Sequence, residues 1–286
     1  MDMEIPDQVL SPWTEVMVQA TDQCVDVNMW GRKYSFASAL LPTGVFTAGA
    51  EVLASPVRLV GKVDEKPIQW ERKGAFLFRH NKAQAVISGW QANESLIVNT
   101  ALQIEYDGLM RVDMVVMPQS GASPTLEELW LEVPLKADRA TLFHYWPGHW
   151  GSAENSGAVP EGGLTLPFKP FVWLGWEEGG LGWFAESDKG WQPKENCIEV
   201  VRQDDEVVLR LHILDSQPQR LPLTFTFGFQ ATPVKPIPKN FHEWRICHGA
   251  SYGIEKQVLK EGSTSSFLEK SFQAFGKGLS ERVQGA

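Results

Sequence analysis

Residues 96–116 read LIVNTALQIEYDGLMRVDMVV, and this stretch decides the fold. Apolar side chains recur at alternate positions on both sides of Asp107 and Gly108, which is the period of a strand with one buried face. An Asp-Gly pair between two alternating runs is a strong hairpin signal, because both residues can adopt a positive φ. The stretch therefore predicts two paired antiparallel strands that contribute one face to a core.

The same period of two continues from about residue 16 to residue 232, with turn-forming residues between the runs. Two further hairpins are predicted, one across residues 177–180 and one across residues 204–205. Long helical periodicity is absent before residue 255. Many short strands at close spacing predict an all-β fold, a large antiparallel β-sandwich of two sheets of the supersandwich type.

The segment PVKPIP at residues 233–238 favours a stiff connector and predicts the end of the sandwich. We therefore expect a β-sandwich domain at residues 1–238, followed at 239–286 by a connector and a short C-terminal helical tail. In the tail, Ser266 and Glu269 can form a capping box. Four apolar residues then share one helical face: Leu268, Phe272, Phe275 and Leu279.

The net charge of −9 and the lack of a basic run argue against nucleic acid as a partner. No stretch approaches about 18 consecutive apolar residues, so no membrane partner is expected. The N-terminus lacks a signal-peptide pattern, which predicts a soluble chain and favours the cytoplasm for the chain as given. Glycine motifs for phosphates or dinucleotides and metal-ligand spacings are also missing, so neither a cofactor nor a metal is predicted.

Six of the twelve tryptophans fall between residues 142 and 191. Among them, Trp146, Trp150 and Trp191 lie in segments with the composition of loops, which favours exposed or cleft positions. Tyr145 directly precedes Trp146. An aromatic ring can cover the apolar C–H face of a sugar while polar neighbours hold its hydroxyls. These four residues are the predicted carbohydrate ligands, and packing of the same rings under a long loop is the structural alternative.

Trp173 and Trp183 lie within predicted strands. Alternation buries about half of the side chains of a strand whatever the function of the protein. We therefore expect both of these tryptophans to belong mainly to the core.

Candidate acid–base residues are few. Glycoside hydrolysis needs two carboxylates held about 5–10 Å apart, and adjacent Glu177 and Glu178 fit a solvated hairpin tip better. Four other side chains remain as catalytic candidates if the chain is an enzyme: His144, His149, Glu186 and His248. No further pattern identifies a catalytic set.

Several strings resemble segments of proteins related to glycoside hydrolase family 123. They are LFHYWPGHWGS at 142–152, PFKPFVWLG at 167–175, LGWFAESDKGW at 181–191 and TFGFQATPVKP at 226–236, with WGR at 30–32 and LLP at 40–42. The resemblance spans most of residues 13–256. It implies the N-terminal β-sandwich of such proteins, which a (β/α)₈ barrel follows.

The resemblance also implies that the catalytic acid and the assisting carboxylate of N-acetylhexosaminide hydrolysis lie in that barrel. A barrel typically needs about 250 residues, and the sequence continues for only about 50 residues beyond the connector. No catalytic residue of the family therefore maps onto a position of this sequence.

Three functional hypotheses follow. In the first, a non-catalytic sandwich binds glycan or braces a catalytic partner, such as a barrel domain. In the second, the chain is an autonomous carbohydrate-active enzyme, a hydrolase or lyase, and at least two of the four catalytic candidates lie within mutual reach in a sandwich cleft. In the third, it is a structural module that forms a homo-oligomer through the apolar face at 272–279.

Overall fold

The computed structural model describes residues 7–148, 154–192, 195–215 and 218–236. Within those ranges the chain forms twenty strands and one turn of 3-10 helix, Ala137–Arg139. The strands are β1 (Met17–Ala20), β2 (Val25–Met29), β3 (Arg32–Phe36), β4 (Gly44–Thr47), β5 (Ala50–Glu51), β6 (Arg58–Val63), β7 (Lys66–Pro67), β8 (Arg72–His80), β9 (Gln84–Ala92), β10 (Leu96–Glu105), β11 (Leu109–Pro118), β12 (Leu126–Lys136), β13 (Leu142–Trp146), β14 (Ser156–Ala158), β15 (Leu164–Leu166), β16 (Phe171–Gly175), β17 (Gly180–Phe184), β18 (Ile198–Gln203), β19 (Glu206–Leu214) and β20 (Leu223–Thr232).

The strands form three antiparallel sheets. The nine-stranded sheet has the order β14-β13-β16-β17-β20-β11-β10-β9-β8, and the six-stranded sheet has the order β15-β18-β19-β12-β6-β7. The strands β1 to β5 form a five-stranded sheet in sequence order. The all-β antiparallel sandwich predicted from the sequence is confirmed, and the five-stranded sheet adds a third sheet to the two that were expected.

The hairpin predicted around Asp107 and Gly108 is also confirmed. The strands β10 and β11 pair from Leu96 opposite Pro118 to Ile104 opposite Met110. Gly108 has a φ of +82°, whereas Asp107 does not adopt a positive φ. The N–H of Gly108 donates to the carbonyl of Glu105 at 2.8 Å, so the loop is the longer hairpin type that ends in a left-handed glycine, and not a two-residue turn. The predicted hairpins at 177–180 and 204–205 appear as the pairs β16–β17 and β18–β19.

All the described strands lie within one compact unit, Met1–Pro236. The helix expected at 266–279 lies outside the described residues, and the predicted domain boundary after residue 238 stays a prediction. No helix in the described part of the chain is long and apolar enough to cross a membrane.

The alternation seen in the sequence determines which face of each strand is buried. In β10, Val98 and Leu102 are fully buried while Ala101 between them is exposed. The buried faces of all three sheets contribute to one hydrophobic core. Burial of this apolar surface is the main force that holds the sheets together.

Side chains of the five-stranded sheet fix the end of β20. The hydroxyl of Tyr34 donates to the carbonyl of Gly108 at 2.7 Å and accepts from the backbone N–H of Ala231 at 3.0 Å. The guanidinium of Arg32 donates to the carbonyl of Ala231 at 3.2 Å, and the hydroxyl of Thr47 donates to the carbonyl of Thr232 at 2.9 Å. These bonds join the five-stranded and nine-stranded sheets through backbone groups near the end of β20.

Replacement of Tyr34 by phenylalanine is expected to lower the free energy of unfolding by about 1–3 kcal/mol. The variant leaves the buried N–H of Ala231 without its hydroxyl acceptor, and such a loss costs about that much. Urea unfolding followed by circular dichroism measures the change. Tyr106→Phe is the matched control, because Tyr106 is only partly buried, and it should change stability by less than about 0.5 kcal/mol.

The stabilisation that the Tyr34 hydroxyl provides should depend on pH. Burial raises the pKa of Tyr34 to about 12 from its ordinary value of 10.0. The stabilisation is therefore complete below pH 10 and is lost as the pH rises towards 12, because the phenolate then forms more readily in the unfolded chain. The difference between wild type and Tyr34→Phe should shrink by roughly 1 kcal/mol between pH 8 and pH 11. A constant difference would show that ionisation of the hydroxyl is not involved.

Candidate functional site

The outer face of the nine-stranded sheet carries an unusual set of aromatic rings. On β13, β16 and β17 the residues Phe143, Val172 and Trp183 are buried and point inwards. Successive side chains of a strand point to opposite faces, so their immediate neighbours point outwards. The outward set on these three strands includes five residues with rings: His144, Trp146, Phe171, Trp173 and Phe184.

Strand register brings three of these rings into one row. Trp146 lies opposite Phe171, and Phe171 lies opposite Phe184 on the next strand. Phe184 in turn lies opposite Gly228 of β20. The row therefore crosses four adjacent strands, and it contains three aromatic side chains followed by a glycine.

A second row runs beside the first. His144 lies opposite Trp173, and Trp173 lies opposite Gly182. The rings of His144 and Phe171 are 6.1 Å apart, so the two rows are in contact. The indole N–H of Trp173 donates to the hydroxyl of Thr232 at 3.0 Å, which fixes the orientation of the ring. We call the rings of Trp146, Phe171, Trp173 and Phe184 the aromatic platform.

Glycines of the neighbouring strands give the platform its shape. A Cβ atom built on Gly228 would lie 2.6 Å from Cε2 of Phe184, and one built on Gly180 would lie 2.6 Å from Cε2 of Trp173. The two rings thus occupy space that any other residue at those positions would fill. Each ring therefore reaches over a glycine of a neighbouring strand.

The platform is open to solvent to different degrees along its length. Trp146 is 40% exposed and is one of the few exposed large apolar residues of the described chain. Phe171, Trp173 and Phe184 are half-buried. Next to Gly228 in the same row stands exposed Arg111 of β11, so the apolar surface ends at a polar border. An apolar surface with a polar rim is typical of a binding surface.

The structure separates the predicted carbohydrate ligands. Trp146 belongs to the platform, and Tyr145 beside it is partly buried, with the ammonium of Lys169 5.0 Å from the centre of its ring. Trp191 is only 6% exposed and packs against Phe168 and Trp183. The expectation of an exposed Trp191 is therefore wrong: the loop that carries it folds inwards and buries the ring. Trp150 lies outside the described residues.

Trp173 and Trp183 also differ from each other. Trp183 is fully buried, which confirms its expected place in the core. Trp173 was expected there too, but it is half-buried and lies on the outer face. The reason is register, since Trp173 is opposite Gly182, the residue before Trp183, and so takes the opposite face.

Two of the four catalytic candidates fall within the described residues. His144 is half-buried beside the platform, whereas Glu186 is exposed beyond the end of β17. His149 and His248 lie outside the described residues, so a catalytic role for any of the four stays a prediction.

Sequence reasoning missed a polar cluster on the outer face of the six-stranded sheet. Nε2 of His212 lies 3.2 Å from Oε2 of Glu199, and the ring of His212 lies 5.9 Å from that of Trp130. A small cleft of about 170 Å³ opens beside them. The three residues are far apart in sequence, so only the pairing of β12, β18 and β19 brings them together.

A second cleft, of about 420 Å³, lies at the five-stranded sheet and is lined in part by Asn28, Lys33 and Phe46. Neither cleft contains a platform residue. In the described ranges, no group of three or more His, Cys, Asp or Glu side chains is arranged to hold a metal ion.

Fold and site together define a β-sandwich with an aromatic outer face. The family model described as glycoside hydrolase 123, third domain, matches residues 17–164, which is more than half of the chain. The chain therefore belongs to this family. A comparison with curated proteins gives no match.

Two solved structures show a looser likeness. A protein of Escherichia coli K12 proposed to be an aldose 1-epimerase superimposes with a TM-score of 0.44 at 8% identity, covering 76% of this chain and 99% of that chain. The alpha-N-acetylgalactosaminidase NagBb from Bifidobacterium bifidum, in its GalNAc complex, gives a TM-score of 0.47 at 8% identity. That overlap covers 77% of this chain and 36% of NagBb. Both scores lie below 0.5, so neither likeness defines what this chain does.

Proposed function

We propose that this chain is a non-catalytic carbohydrate-binding sandwich, whose aromatic platform holds a glycan for a catalytic partner domain. One observation supports this most: partly exposed aromatic rings stand together over glycines on the outer face of a sheet. Membership of a glycoside hydrolase family makes a carbohydrate the natural ligand for such a surface.

The physical basis is the match between two flat surfaces. One side of a sugar ring presents mainly C–H groups, and an aromatic face can cover them without leaving a polar group unpaired. Trp146 is the most exposed ring of the platform and so offers the largest area. Polar side chains at the border, including Arg111, can pair with hydroxyl groups at the edge of the sugar.

The proposed partner follows from the family description, in which this unit is one domain among several. A sandwich that binds glycan raises the effective concentration of substrate for a catalytic domain joined to it. In this proposal the reaction takes place in a partner barrel, and the sandwich contributes affinity. Trp150 and Tyr145 stay proposed as further ligands near Trp146.

Loss of platform rings should weaken glycan binding without unfolding the protein. A glycan array identifies the ligand, and calorimetry then compares wild type with Trp146→Ala and Phe171→Ala. Each variant should lose about tenfold in affinity, because each removes roughly 1.4 kcal/mol of stacking. Trp150→Ala in the same series tests the residue that lies outside the described ranges.

Phe78→Ala is the matched control. Phe78 is 66% exposed and lies on β8, at the far edge of the same sheet. The Phe78→Ala variant should bind the glycan with the same affinity as the wild type. Equal binding by wild type and the platform variants, or no binding to any glycan, would contradict the proposal. Hydrolysis of a glycan by the wild type, lost in Glu186→Gln or His144→Ala, would instead support the enzyme alternative.

A further inference from the structure

We infer that the platform binds several consecutive sugar units in the interior of an extended glycan chain, and not a single terminal sugar. This inference rests on the proposed function and adds the class of ligand to it. It follows from the shape, size and openness of the platform.

The platform rings lie close to glycines of neighbouring strands. Phe184 lies across Gly228, and Trp173 lies across Gly180 of the adjacent strand. Phe171 lies over Gly182, where a Cβ would stand 3.2 Å from its Cε2 atom. Rings that fill the space above glycines stay low over the strands, which favours a shallow binding surface over a deep pocket.

The size of the platform exceeds that of one sugar ring. The first row crosses β13, β16, β17 and β20, and neighbouring strands are about 4.8 Å apart, so its length is roughly 14 Å. The second row lies two residues further along the strands, at a distance of roughly 7 Å. A single sugar would leave most of this aromatic surface in contact with water.

The platform differs from a pocket that binds the terminal sugar of a glycan chain. Pockets that select a single small ligand bury about 70–90% of its surface. The clefts beside His212 and beside Asn28 lie on the other two sheets, and no platform residue lines either of them. In this inference a sugar rests on the platform through one face, and its ends stay free to continue into a longer chain.

One-sided contact has an energetic consequence. Each sugar unit contributes little free energy, so useful affinity needs several units bound together. Once the first unit is bound, the next units bind without a further loss of translational freedom. Affinity should therefore rise steeply with chain length until the row of rings is filled.

Calorimetry with oligomers of defined length tests the inference. The probes are β-1,4-linked oligomers of glucose and of N-acetylglucosamine, from one to six units, together with the linkage that the array selects. The dissociation constant should fall at least 100-fold between one and four units and then level off. Oligomers modified at both ends should bind as tightly as unmodified ones.

Two variants locate the effect on the platform. Phe184→Ala removes the third ring of the row and should weaken binding of the tetramer about tenfold, while monosaccharide binding stays equally weak. Gly228→Ala keeps that ring, but its Cβ would lie 2.6 Å from Cε2 of Phe184 and 2.7 Å from the carbonyl oxygen of Met110, so the ring has to move. It should weaken tetramer binding in the same way. Phe78→Ala again serves as the control, and unfolding curves confirm that each variant is folded.

The outcomes separate the two proposals. A monosaccharide that binds as tightly as the tetramer, or a loss of binding after modification of chain ends, would overturn the inference and leave glycan binding intact. No binding at any length would overturn the proposed function itself. Loss of association with a separate protein domain in Phe184→Ala, without glycan binding, would show that the platform is a protein interface.

Discussion

Replacement of Trp183 by alanine is expected to lower the free energy of unfolding by about 3–5 kcal/mol, the usual cost of deleting a large buried aromatic side chain. Trp183 has no exposed surface. Its ring lies 5.5 Å from that of Trp191 and 6.3 Å from that of Phe168, so the three rings form an inner aromatic cluster. Its removal leaves a cavity that two other rings surround, and it also removes its aromatic contacts with both.

Urea unfolding monitored by circular dichroism measures this loss. Because Trp183→Ala can fail to fold, Trp183→Phe provides a second value. It should cost less than half as much, since a ring remains and the indole N–H, which has no hydrogen-bond partner in the described chain, is removed. Trp146→Ala is the exposed control and should cost no more than about 1 kcal/mol. Equal costs at Trp183 and Trp146 would contradict the assignment of inner and outer faces.

The contrast between these two tryptophans shows what the sequence can and cannot predict. The period of two correctly predicts that neighbours such as Trp183 and Phe184 take opposite faces. It does not say which face is the core, because that depends on the sheet packed against each strand. Trp173 was assigned to the wrong face for this reason.

The aromatic platform could be identified only from the structure. Trp146 could be found from its loop-like context, whereas the importance of Phe171 and Phe184 depends on pairing between β16, β17 and β20. Gly228 is 44 residues beyond Phe184, and only the tertiary register places them side by side. A glycine within a strand was a possible signal, because such a residue often marks a close approach by another group.

The five-stranded sheet was missed for a similar reason. Its strands contain two to five residues each, and individually they give ordinary strand signals. The attachment of this sheet to the nine-stranded sheet depends on side-chain bonds such as that from Tyr34 to Gly108, residues 74 positions apart. Local periodicity carries no information on contacts at that separation.

Replacement of Glu132 by glutamine is expected to destabilise the sandwich by about 2–4 kcal/mol at pH 7. The carboxylate lies between two arginines on the outer face of the six-stranded sheet, 2.8 Å from Nη2 of Arg58 and 2.9 Å from Nε of Arg210. Breaking a fully buried pair costs about 3–5 kcal/mol. Arg58 and Arg210 are partly exposed, so solvent compensates for part of the loss.

The pH dependence identifies the charge as the cause. Burial alone would raise the pKa of Glu132, but hydrogen bonds from Arg58, Trp130 and Arg210 hold it below its ordinary value of 4.5. The stabilisation is therefore present above pH 4.5 and is lost as the pH falls through the lowered value, since the carboxyl is then protonated in both states. The difference between wild type and Glu132→Gln should be largest at pH 7 and clearly smaller at pH 3.

An exposed ion pair in the nine-stranded sheet provides the control. Asp113 lies 3.0 Å from Nη2 of Arg111, and the two side chains are 45% and 58% exposed. Asp113→Asn should therefore cost only about 0–1 kcal/mol, as exposed pairs usually do. If Glu132→Gln cost no more than this, or cost the same at pH 3 as at pH 7, shape and not charge would explain why a carboxylate stands between the two arginines. If charge is the cause, Glu132→Gln must lose more stability than Asp113→Asn at pH 7, and this loss must disappear at low pH.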